Sequence, residues 1–291
     1  MRLATYLHDG APRTGLLTED GQVRAYALAA HEALRGALPI IERAAAGEPA
    51  PPLGEPVPLA SVRLLAPVPR PRRNLFCVGK NYFEHAREFA GSGFDSSSTS
   101  VRDAVPEHPI VFTKVPECVI GPGEPIVVPA GVSEAIDYEA ELAVVIGHGG
   151  RGIRAADAMA HVWGYTIVND VTARDWQQRH KQWHLGKSFD TFCPMGPWLV
   201  SADACDATDT AIRCWVNGEL RQDARTRDLI FPVPRLIETI SAGITLHPGD
   251  LIATGTPVGV GIGFDPPRYL RAGDVVRIEI EGIGALENPV R

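Results

Sequence analysis

Cysteine is scarce in this sequence, and no two cysteines have a CxxC spacing. The five cysteines of the 291-residue chain lie at positions 77, 118, 193, 205 and 214. An odd number without metal-binding or redox spacing argues against a disulfide framework and against a zinc site. We therefore expect reduced, buried thiols in a cytoplasmic protein, and no motif supports Cys118 or Cys193 as a nucleophile.

Long apolar runs and clustered positive charge are also missing. The longest apolar runs, such as LAVVIG, are far shorter than the roughly 20 residues that cross a bilayer, and the opening segment MRLATYLHDGAPRTG has no signal-peptide core. The net charge is -7, and the only basic cluster, PRPRRN at 69–74, is short and interrupted by proline. Because nucleic-acid binding requires clustered Lys and Arg, we expect neither a membrane nor a nucleic acid as partner.

Three short motifs resemble known binding sequences, but each lacks a residue that its chemistry requires. LGKSF (185–189) ends like a phosphate loop, yet Lys181 stands where the earlier glycine belongs. HKQWH (180–184) has the histidine spacing of a zinc protease, but the same Lys181 replaces the glutamate base. GVGIGF (259–264) has Phe264 in place of the last glycine of a dinucleotide fingerprint. None of the three predicts a site.

Local composition divides the chain into a small N-terminal domain, residues 1–65, and a large domain, residues 66–291. RLATYL predicts a strand in the small domain, and residues 24–47 have helical periodicity. Eight prolines between 47 and 74 mark a connector, within which SVRLLAPV predicts a strand. The small domain is therefore an α/β appendage.

In the large domain, strand-like segments outnumber helices and do not alternate strictly with them. Helices are predicted at FEHAREFA, AADAMAHV, TARDWQQRHK and PRLIETISAG, and GSGFDSSSTS (91–100) is a polar loop. Strands are predicted at NLFCVG, PIVFTK, PIVVP, AELAVVIG, VWGYTIVND, GPWLV, TAIRCWVNGEL, DLIATGT and DVVRIEIEGIGALENPV. This pattern predicts a β-rich α+β fold with a mixed β-sheet roll rather than a doubly wound sheet.

The stretch DYEAELAVVIG contains three carboxylates at alternate positions, Asp137, Glu139 and Glu141. A strand turns alternate residues to one face, so one interpretation is an exposed strand with a wet polar face. The apolar continuation LAVVIG instead indicates a strand buried on both faces. On that second interpretation the carboxylates lie where a buried strand emerges into a cleft, and they must be protonated, paired or metal-bound.

A further carboxylate follows the next apolar strand. GYTIVNDVTARD leads from a strand through Asp170 into a helix that is predicted to open at Thr172. Together with Glu139 and Glu141, Asp170 offers three hard oxygen ligands of the kind that suit Mg²⁺ or Mn²⁺. A Glu-x-Glu pair also arises often by chance, so spacing alone leaves both interpretations open.

The ordered set of motifs resembles the fumarylacetoacetate hydrolase family over about residues 74–291. The motifs are GKNYFEHARE, PIVFTK, DYEAELAVVIG, GYTIVNDVTARDWQ, LGKSFDTFCPMGPW, VNGELRQ and PGDLIATGTPVGVG. The resemblance implies the β-sheet roll of that family's C-terminal domain, a homodimer, and one Mg²⁺ or Mn²⁺ per subunit. It also implies that Glu139, Glu141 and Asp170 are the metal ligands, and that Asp137 is a solvated or outer-sphere carboxylate.

The same resemblance assigns further residues to the active site. His85 and Glu88 match the family's water-activating pair, and their i, i+3 spacing places both on one face of a helical turn; the alternative is a surface His–Glu pair. Lys114 and Arg174 have comparable alternatives, as a surface lysine and as a helix salt-bridge partner. The implied catalytic residues are His85, Glu88, Lys187 and Gln177, and the implied substrate-binding residues are Lys114, Arg174 and Thr256.

The activity that the resemblance implies is hydrolysis of a C–C bond in acylpyruvate-type 2,4-diketo acids through a metal-stabilised pyruvate enolate. Two alternatives use the same enolate chemistry: oxaloacetate decarboxylation, and isomerisation or hydration of unsaturated 2-oxo diacids from aromatic degradation. A third alternative is ureidoglycolate lysis, since some members of the family are ureidoglycolate lyases. A small-molecule 2-oxo acid is the expected partner. A non-catalytic, metal-stabilised binding module is the alternative of a different class. The long segment 91–108 is a candidate lid and leaves the substrate length open.

Overall fold

The computed structural model describes residues 1–91 and 104–291, so the loop predicted at 91–100 and the lid hypothesis lie almost wholly outside the described residues. The helices are α1 (Ala30–Ala33), α2 (Leu38–Ala45), α3 (Phe83–Gly91), α4 (Arg174–Arg179), α5 (His184–Lys187) and α6 (Val233–Ser241). The N-terminal strands are β1 (Arg2–His8), β2 (Ala11–Leu17), β3 (Gln22–Tyr26), β4 (Leu53–Pro58) and β5 (Arg63–Leu64).

Thirteen further strands follow in the rest of the described chain. They are β6 (Leu75–Gly79), β7 (Ile110–Lys114), β8 (Val119–Ile120), β9 (Ile136–Asp137), β10 (Ala140–Ile146), β11 (Val162–Asn169), β12 (Thr172–Ala173), β13 (Cys193–Ser201), β14 (Ala211–Val216), β15 (Glu219–Arg225), β16 (Leu251–Ala253), β17 (Val275–Ile280) and β18 (Gly284–Pro289). The predicted β-rich α+β class is confirmed.

A large mixed sheet is the centre of the fold. Its strand order is β4-β3-β2-β1-β13-β11-β10-β16-β6-β7, with β5 attached to β1 and β8 to β13. The β16–β6 and β13–β8 pairs are parallel, whereas β10 pairs antiparallel with both β11 and β16. A four-stranded sheet, β15-β14-β17-β18, and the small β12-β9 pair complete the architecture. Strand β10 therefore lies deep inside the molecule.

Both faces of β10 are covered. Leu142, Val144 and Ile146 belong to one hydrophobic core, and Ala143 and Val145 belong to another on the opposite face. All seven residues of the strand are buried. The interpretation of LAVVIG as a strand buried on both faces is confirmed. The carboxylates therefore lie at the start of a buried strand.

The N-terminal strands extend the main sheet. Strand β1 pairs with β13 through Leu3 and Leu199, and both residues belong to the same core. The proline-rich segment LGEPVP forms the edge strand β4, where missing N–H donors are tolerated because one side of the strand is unpaired. The connector is thus partly a strand, and the domain boundary at residue 65 stays a prediction.

Several predicted elements need correction. PIVVP forms no strand and makes only a single bridge from Ile126 to Val290. AADAMAHV forms one 3₁₀ turn, Ala158–His161. The helix predicted to open at Thr172 begins at Arg174, because Thr172 pairs with Asp137 in the β12-β9 sheet. The periodic segment 24–47 is split among β3, α1 and α2.

Two predictions made from composition, on the cysteines and on membrane spans, can be compared with the structure. All five cysteines are free and buried, so the expected buried thiols are confirmed, and neither Cys118 nor Cys193 is accessible as a nucleophile. Among the described residues, the helices are too short or too polar to cross a membrane.

Candidate active site

The three carboxylates predicted as metal ligands lie together, because the pairing of two strands brings them to one end of the sheet. The segment that was predicted as one strand is broken into β9 and β10, and Glu139 lies in the break. Ala140 is paired with Asn169 across the β10–β11 ladder, and the Asp170 amide donates to the Glu139 carbonyl at 2.9 Å. Carboxylate oxygens of Glu139, Glu141 and Asp170 all lie within 4.8 Å of one another, and all three residues are buried.

Burial and close spacing make it costly for all three carboxylates to be ionised at the same time. Burial raises the pKa of Glu141 well above its usual value, and the carboxylates of Asp170 and Glu139 raise it further. Burial alone would also raise the pKa of Glu139, but Lys187 and Arg174 outweigh it and lower the value to about 2. A hard divalent cation would relieve this repulsion, and three carboxylate oxygens are the donors that such an ion prefers. The residues therefore fit a Mg²⁺ or Mn²⁺ ion.

Two lysines neutralise the carboxylate cluster from inside. Lys187 Nζ donates to Glu139 Oε2 at 2.7 Å and to Asp170 Oδ2 at 2.8 Å. Lys114 Nζ donates to Asp170 Oδ1 at 2.7 Å, to the Val171 carbonyl at 3.0 Å and to the Lys187 carbonyl. All three donors of Lys114 are thus used inside the protein. Lys114 is fully buried, which rules out the surface-lysine alternative, whereas its substrate-binding role stays a prediction.

Asp137 is not solvated, contrary to one of the two sequence interpretations. Its side chain is fully buried and accepts a hydrogen bond from Arg174 Nε at 2.9 Å. Arg174 Nη1 contacts Glu139 Oε1 at 2.7 Å and Gln177 Oε1 at 3.1 Å. Arg174 Nη2 is buried and has no hydrogen-bond partner within the described residues. Arg174 therefore holds the site together and keeps one donor unused.

His85 and Glu88 form a buried pair on α3. His85 Nδ1 and Glu88 Oε2 are 3.1 Å apart, and the side chains are only 6% and 11% exposed, which excludes the surface-pair alternative. Glu88 Oε1 accepts a hydrogen bond from the Gly259 amide at 3.0 Å. A Cβ atom at Gly263 would lie 1.9 Å from Glu88 Oε1. Glycine at position 263 is thus what leaves room for the glutamate.

One small cavity unites most of these groups. Eight charged or polar residues line it, and three aromatic residues, Phe89, Phe112 and Trp183, form its aromatic wall. Trp183 contacts Phe89 and Phe112 edge-on, at ring-centroid distances of 5.9 and 5.3 Å, and a Cβ at Gly79 would lie 2.2 Å from its indole. The polar residues are Lys80, His85, Glu139, Glu141, Arg174, Gln177 and Lys187, and Thr256 also lines the cavity.

Sequence reasoning missed the residues that support this site. The Asn169 side chain accepts a hydrogen bond from the Glu139 amide at 3.0 Å. The Gln222 side chain accepts one from the Ala140 amide at 3.0 Å and donates one to Thr256 Oγ1 at 2.8 Å. Single buried amides leave no pattern in a sequence. The glycines of GVGIGF did leave a pattern in the sequence. The segment is no dinucleotide motif, but its backbone amides donate hydrogen bonds to carboxylates of the candidate site.

Comparison with known proteins agrees with this geometry. The family model described as fumarylacetoacetate (FAA) hydrolase C-terminal matches residues 74–291, and the model described as Rv2993c-like, N-terminal matches residues 1–67. The chain belongs to the fumarylacetoacetate hydrolase family.

Similar proteins include tautomerases and isomerases. The chain is 52% identical over 233 residues to oxaloacetate tautomerase YisK of Bacillus subtilis, covering 80% of this chain and 74% of that protein. It is 46% identical over 237 residues to mitochondrial oxaloacetate tautomerase FAHD2A of Homo sapiens, covering 80% and 71%.

Two solved structures are similar over nearly their whole length. Fumarylacetoacetate hydrolase from psychrophilic Exiguobacterium antarcticum has a TM-score of 0.81 at 40% identity, covering 100% of this chain and 99% of that one. The 5-carboxymethyl-2-hydroxymuconate delta-isomerase from Mycobacterium smegmatis has a TM-score of 0.78 at 37% identity, with the same coverage. The predicted family and roll are therefore confirmed.

Proposed function

We propose that this protein interconverts the keto and enol forms of a short 2-oxo diacid of the oxaloacetate type, with a bound divalent ion. The observation that carries the proposal is that one small cavity is lined by His85, which pairs with Glu88, and by Glu139 and Glu141, two of the three clustered carboxylates. A base next to a site that stabilises an enolate is the minimum machinery for moving a proton between carbon and oxygen. The names of the tautomerase relatives favour this reaction, which was not among those that the family resemblance implied.

Glu139, Glu141 and Asp170 would hold the ion, Mg²⁺ or Mn²⁺, one per subunit. When bound, such an ion supplies Lewis-acid stabilisation for negative charge on the 2-oxo oxygen of a substrate. Lys187, which contacts two of these carboxylates, keeps their oxygens in place and adds positive charge beside the developing enolate.

His85 is the proposed base. Glu88 contacts the Nδ1 side of the imidazole, so a proton on Nδ1 is held there and Nε2 remains the proton acceptor. Glu88 also stabilises the imidazolium that forms when Nε2 takes a proton from the carbon next to the 2-oxo group. The imidazolium then gives this proton to the enolate oxygen to form the enol, and the same two transfers in reverse order regenerate the keto form.

Arg174 is the proposed contact for a substrate carboxylate. Its Nη2 group is buried and unpaired within the described residues, Arg174 lines the cavity, and a buried donor without a partner costs about 1–3 kcal/mol. A carboxylate that accepts from Nη2 would remove this cost. The proposal thus favours an anionic diacid over a neutral ketone, and Gln177 and Thr256 would line the same pocket.

Hydrolysis of acylpyruvates is a second candidate. The His85–Glu88 pair matches the family's water-activating residues, and the same base that removes a proton from carbon can remove one from water. In that reaction Lys187 and Gln177 would stabilise a tetrahedral oxygen. The decarboxylase, hydratase and ureidoglycolate lyase alternatives have no observation here that favours them over tautomerisation.

The deciding experiment is a substrate panel assayed with Mg²⁺ and with Mn²⁺. The panel contains oxaloacetate, acetylpyruvate, fumarylpyruvate and an unsaturated 2-oxo diacid, and ultraviolet absorbance of the enol follows tautomerisation. We expect rapid keto–enol exchange of oxaloacetate that His85→Ala abolishes. Cleavage of acetylpyruvate or fumarylpyruvate without oxaloacetate exchange would replace the proposal with the hydrolase. No turnover of any substrate with either ion would favour a non-catalytic binding module.

We also propose a cytoplasmic location, as expected from the cysteine content, and a homodimer, as the family resemblance implies. Light scattering of the purified protein tests this: a mass of twice 31.3 kDa supports the dimer, and a monomeric mass contradicts it.

A further inference from the structure

Asp137 connects two parts of the site that come from distant segments of the chain. Its Oδ2 atom accepts from Arg174 Nε at 2.9 Å and from the Ile262 amide at 3.0 Å. Its Oδ1 atom accepts from the Gly261 amide at 2.6 Å and from the Tyr138 amide at 2.9 Å. One fully buried carboxylate thus receives four hydrogen bonds, two of them from a loop more than 120 residues later in the sequence.

The first connection leads to the ion site. Arg174 is fixed through Nε by Asp137 and contacts Glu139 through Nη1 at 2.7 Å. This leaves Nη2 without a partner among the described residues. If Asp137 lost its charge, the guanidinium would keep only its contacts to Glu139 and Gln177 and would be free to turn.

The second connection leads to the base. Loop 257–263, which we call the glycine loop, is tied to Asp137 at Gly261 and Ile262. The same loop donates to Glu88 Oε1 through the Gly259 amide at 3.0 Å, and Tyr138 Oη donates to the Gly259 carbonyl at 2.8 Å. The position of Glu88, and through it the orientation of His85, therefore depends on how the glycine loop is held.

We propose that Asp137 is a positioning residue that sets the Arg174 donor and the Glu88–His85 pair in register with each other. The inference rests on the proposed function for what the register serves, but not for the contacts themselves. A purely structural ion pair would need only Arg174. The extra amide donors from the glycine loop extend the connection from the ion side of the cavity to the base side.

The decisive variant is Asp137→Asn. An amide keeps the volume but has one acceptor oxygen, so its NH₂ group must face at least one of the donors that the carboxylate now satisfies. The matched control is Asp250→Asn. Asp250 is also a buried aspartate that pairs with an arginine, Arg73, and accepts a backbone amide, that of His247, but it lies at the opposite end of β10, beside Ile146.

Two quantities are measured on each variant: kcat for oxaloacetate tautomerisation, and the calorimetric affinity for oxalate with saturating Mg²⁺. Outer-sphere partners of a site typically contribute about 10–100-fold to activity. We expect Asp137→Asn to lower kcat by about that factor and to weaken oxalate binding by about tenfold. Asp250→Asn is expected to change neither quantity, although its melting temperature should fall by about as much as that of Asp137→Asn. Equal oxalate affinity and kcat in the two variants would reduce Asp137 to a structural role and overturn the inference.

A double-mutant cycle with Glu88→Gln tests the connection between the two sides. If Asp137 acts partly through Glu88, the two losses in kcat are less than multiplicative; fully multiplicative losses would overturn the inference.

If the wild-type protein has no turnover, the proposed function fails, but the oxalate comparison still decides the role of Asp137. If Asp137→Asn does not fold, Ile262→Pro removes one donor to Asp137, and Ile262→Ala keeps that donor but shortens the side chain. Weaker oxalate binding by Ile262→Pro than by Ile262→Ala supports the inference, and equal binding overturns it.

Discussion

Replacing Gly263 by alanine should disable the proposed base while leaving the fold intact. The new Cβ would lie 1.9 Å from Glu88 Oε1 and 2.3 Å from its Cδ, whereas ordinary contacts begin at 3.4 Å. Real Cβ contacts are essentially never shorter than 3.0 Å, so Oε1 must retreat by at least the difference, 1.1 Å, and Cδ must move with it. Because Oε2 is bonded to the same Cδ, this movement displaces it from His85 Nδ1, from which it is 3.1 Å away in the native site.

The expected loss in kcat is about a hundredfold, because a misplacement of about 1 Å in a catalytic group can cost that much. Stability should change little. The group that must move is the end of a flexible side chain, and a Gly→Ala change at an allowed φ stabilises by about 0.4–1 kcal/mol through the unfolded chain. The assay is steady-state tautomerisation of oxaloacetate, with the thermal midpoint measured in parallel.

The control for this variant is Gly243→Ala, where an added Cβ meets no atom within 4 Å; it should keep wild-type kcat. A second control is Gly263→Ala in a Glu88→Ala background, where the clash is gone and no further loss is expected. Wild-type activity in Gly263→Ala would refute the reasoning, because the glutamate would then have no part in orienting the base.

Three further predictions concern the ion, the aromatic wall and the substrate carboxylate. Glu141→Ala should weaken Mg²⁺ or Mn²⁺ binding by about a hundredfold or more, since even outer-sphere losses cost about 10–100-fold; unchanged affinity in calorimetry would exclude the proposed ion site. Trp183→Ala should raise kcat/KM for a seven-carbon 2-oxo diacid relative to a four-carbon one, because the indole limits the cavity. The control is Trp198→Ala, which removes an indole that is hydrogen-bonded to the Ile283 carbonyl and should leave that ratio unchanged. An unchanged ratio in both variants would contradict the proposal that the aromatic wall limits substrate length. Arg174→Gln should raise KM for oxaloacetate by about 10–100-fold, the equivalent of one charge-assisted hydrogen bond of about 1.5–3 kcal/mol, and an unchanged KM would remove Arg174 from substrate binding.

The clustering of the three carboxylates could be predicted from sequence because strand periodicity and ladder register determine it. Glu139 and Glu141 flank the start of β10, and Asp170 directly follows β11, its antiparallel neighbour. Once two adjacent strands are assigned, residues at their facing ends must lie close together. The family motifs then supplied His85 and Glu88, whose helix was predicted correctly at α3.

Asp137 shows why the rest could not be predicted. Period-2 alternation placed it with Glu139 and Glu141 on one face, but the strand breaks after Asp137, and its partners are Arg174 and two amides of the glycine loop. Those partners lie far along the chain, and backbone amides have no identity in a sequence. Of the two alternatives for Asp137, the solvated carboxylate is wrong and the outer-sphere carboxylate stays a prediction, because local pattern carries no information about such contacts.

The charges of the hydrogen-bonded cluster explain why a chain would bury so many acids. Four carboxylates face three cations, which leaves one negative charge unbalanced; the members are Asp137, Glu139, Glu141, Asp170, Lys114, Lys187 and Arg174. The raised pKa of Glu141 reflects burial and this excess. A divalent ion would turn the balance to one positive charge, and only then would the cluster attract a dianion. Ion and diacid should therefore bind with positive coupling, so oxalate affinity without the ion should be far weaker than with it, and equal affinities would contradict this account of the cluster.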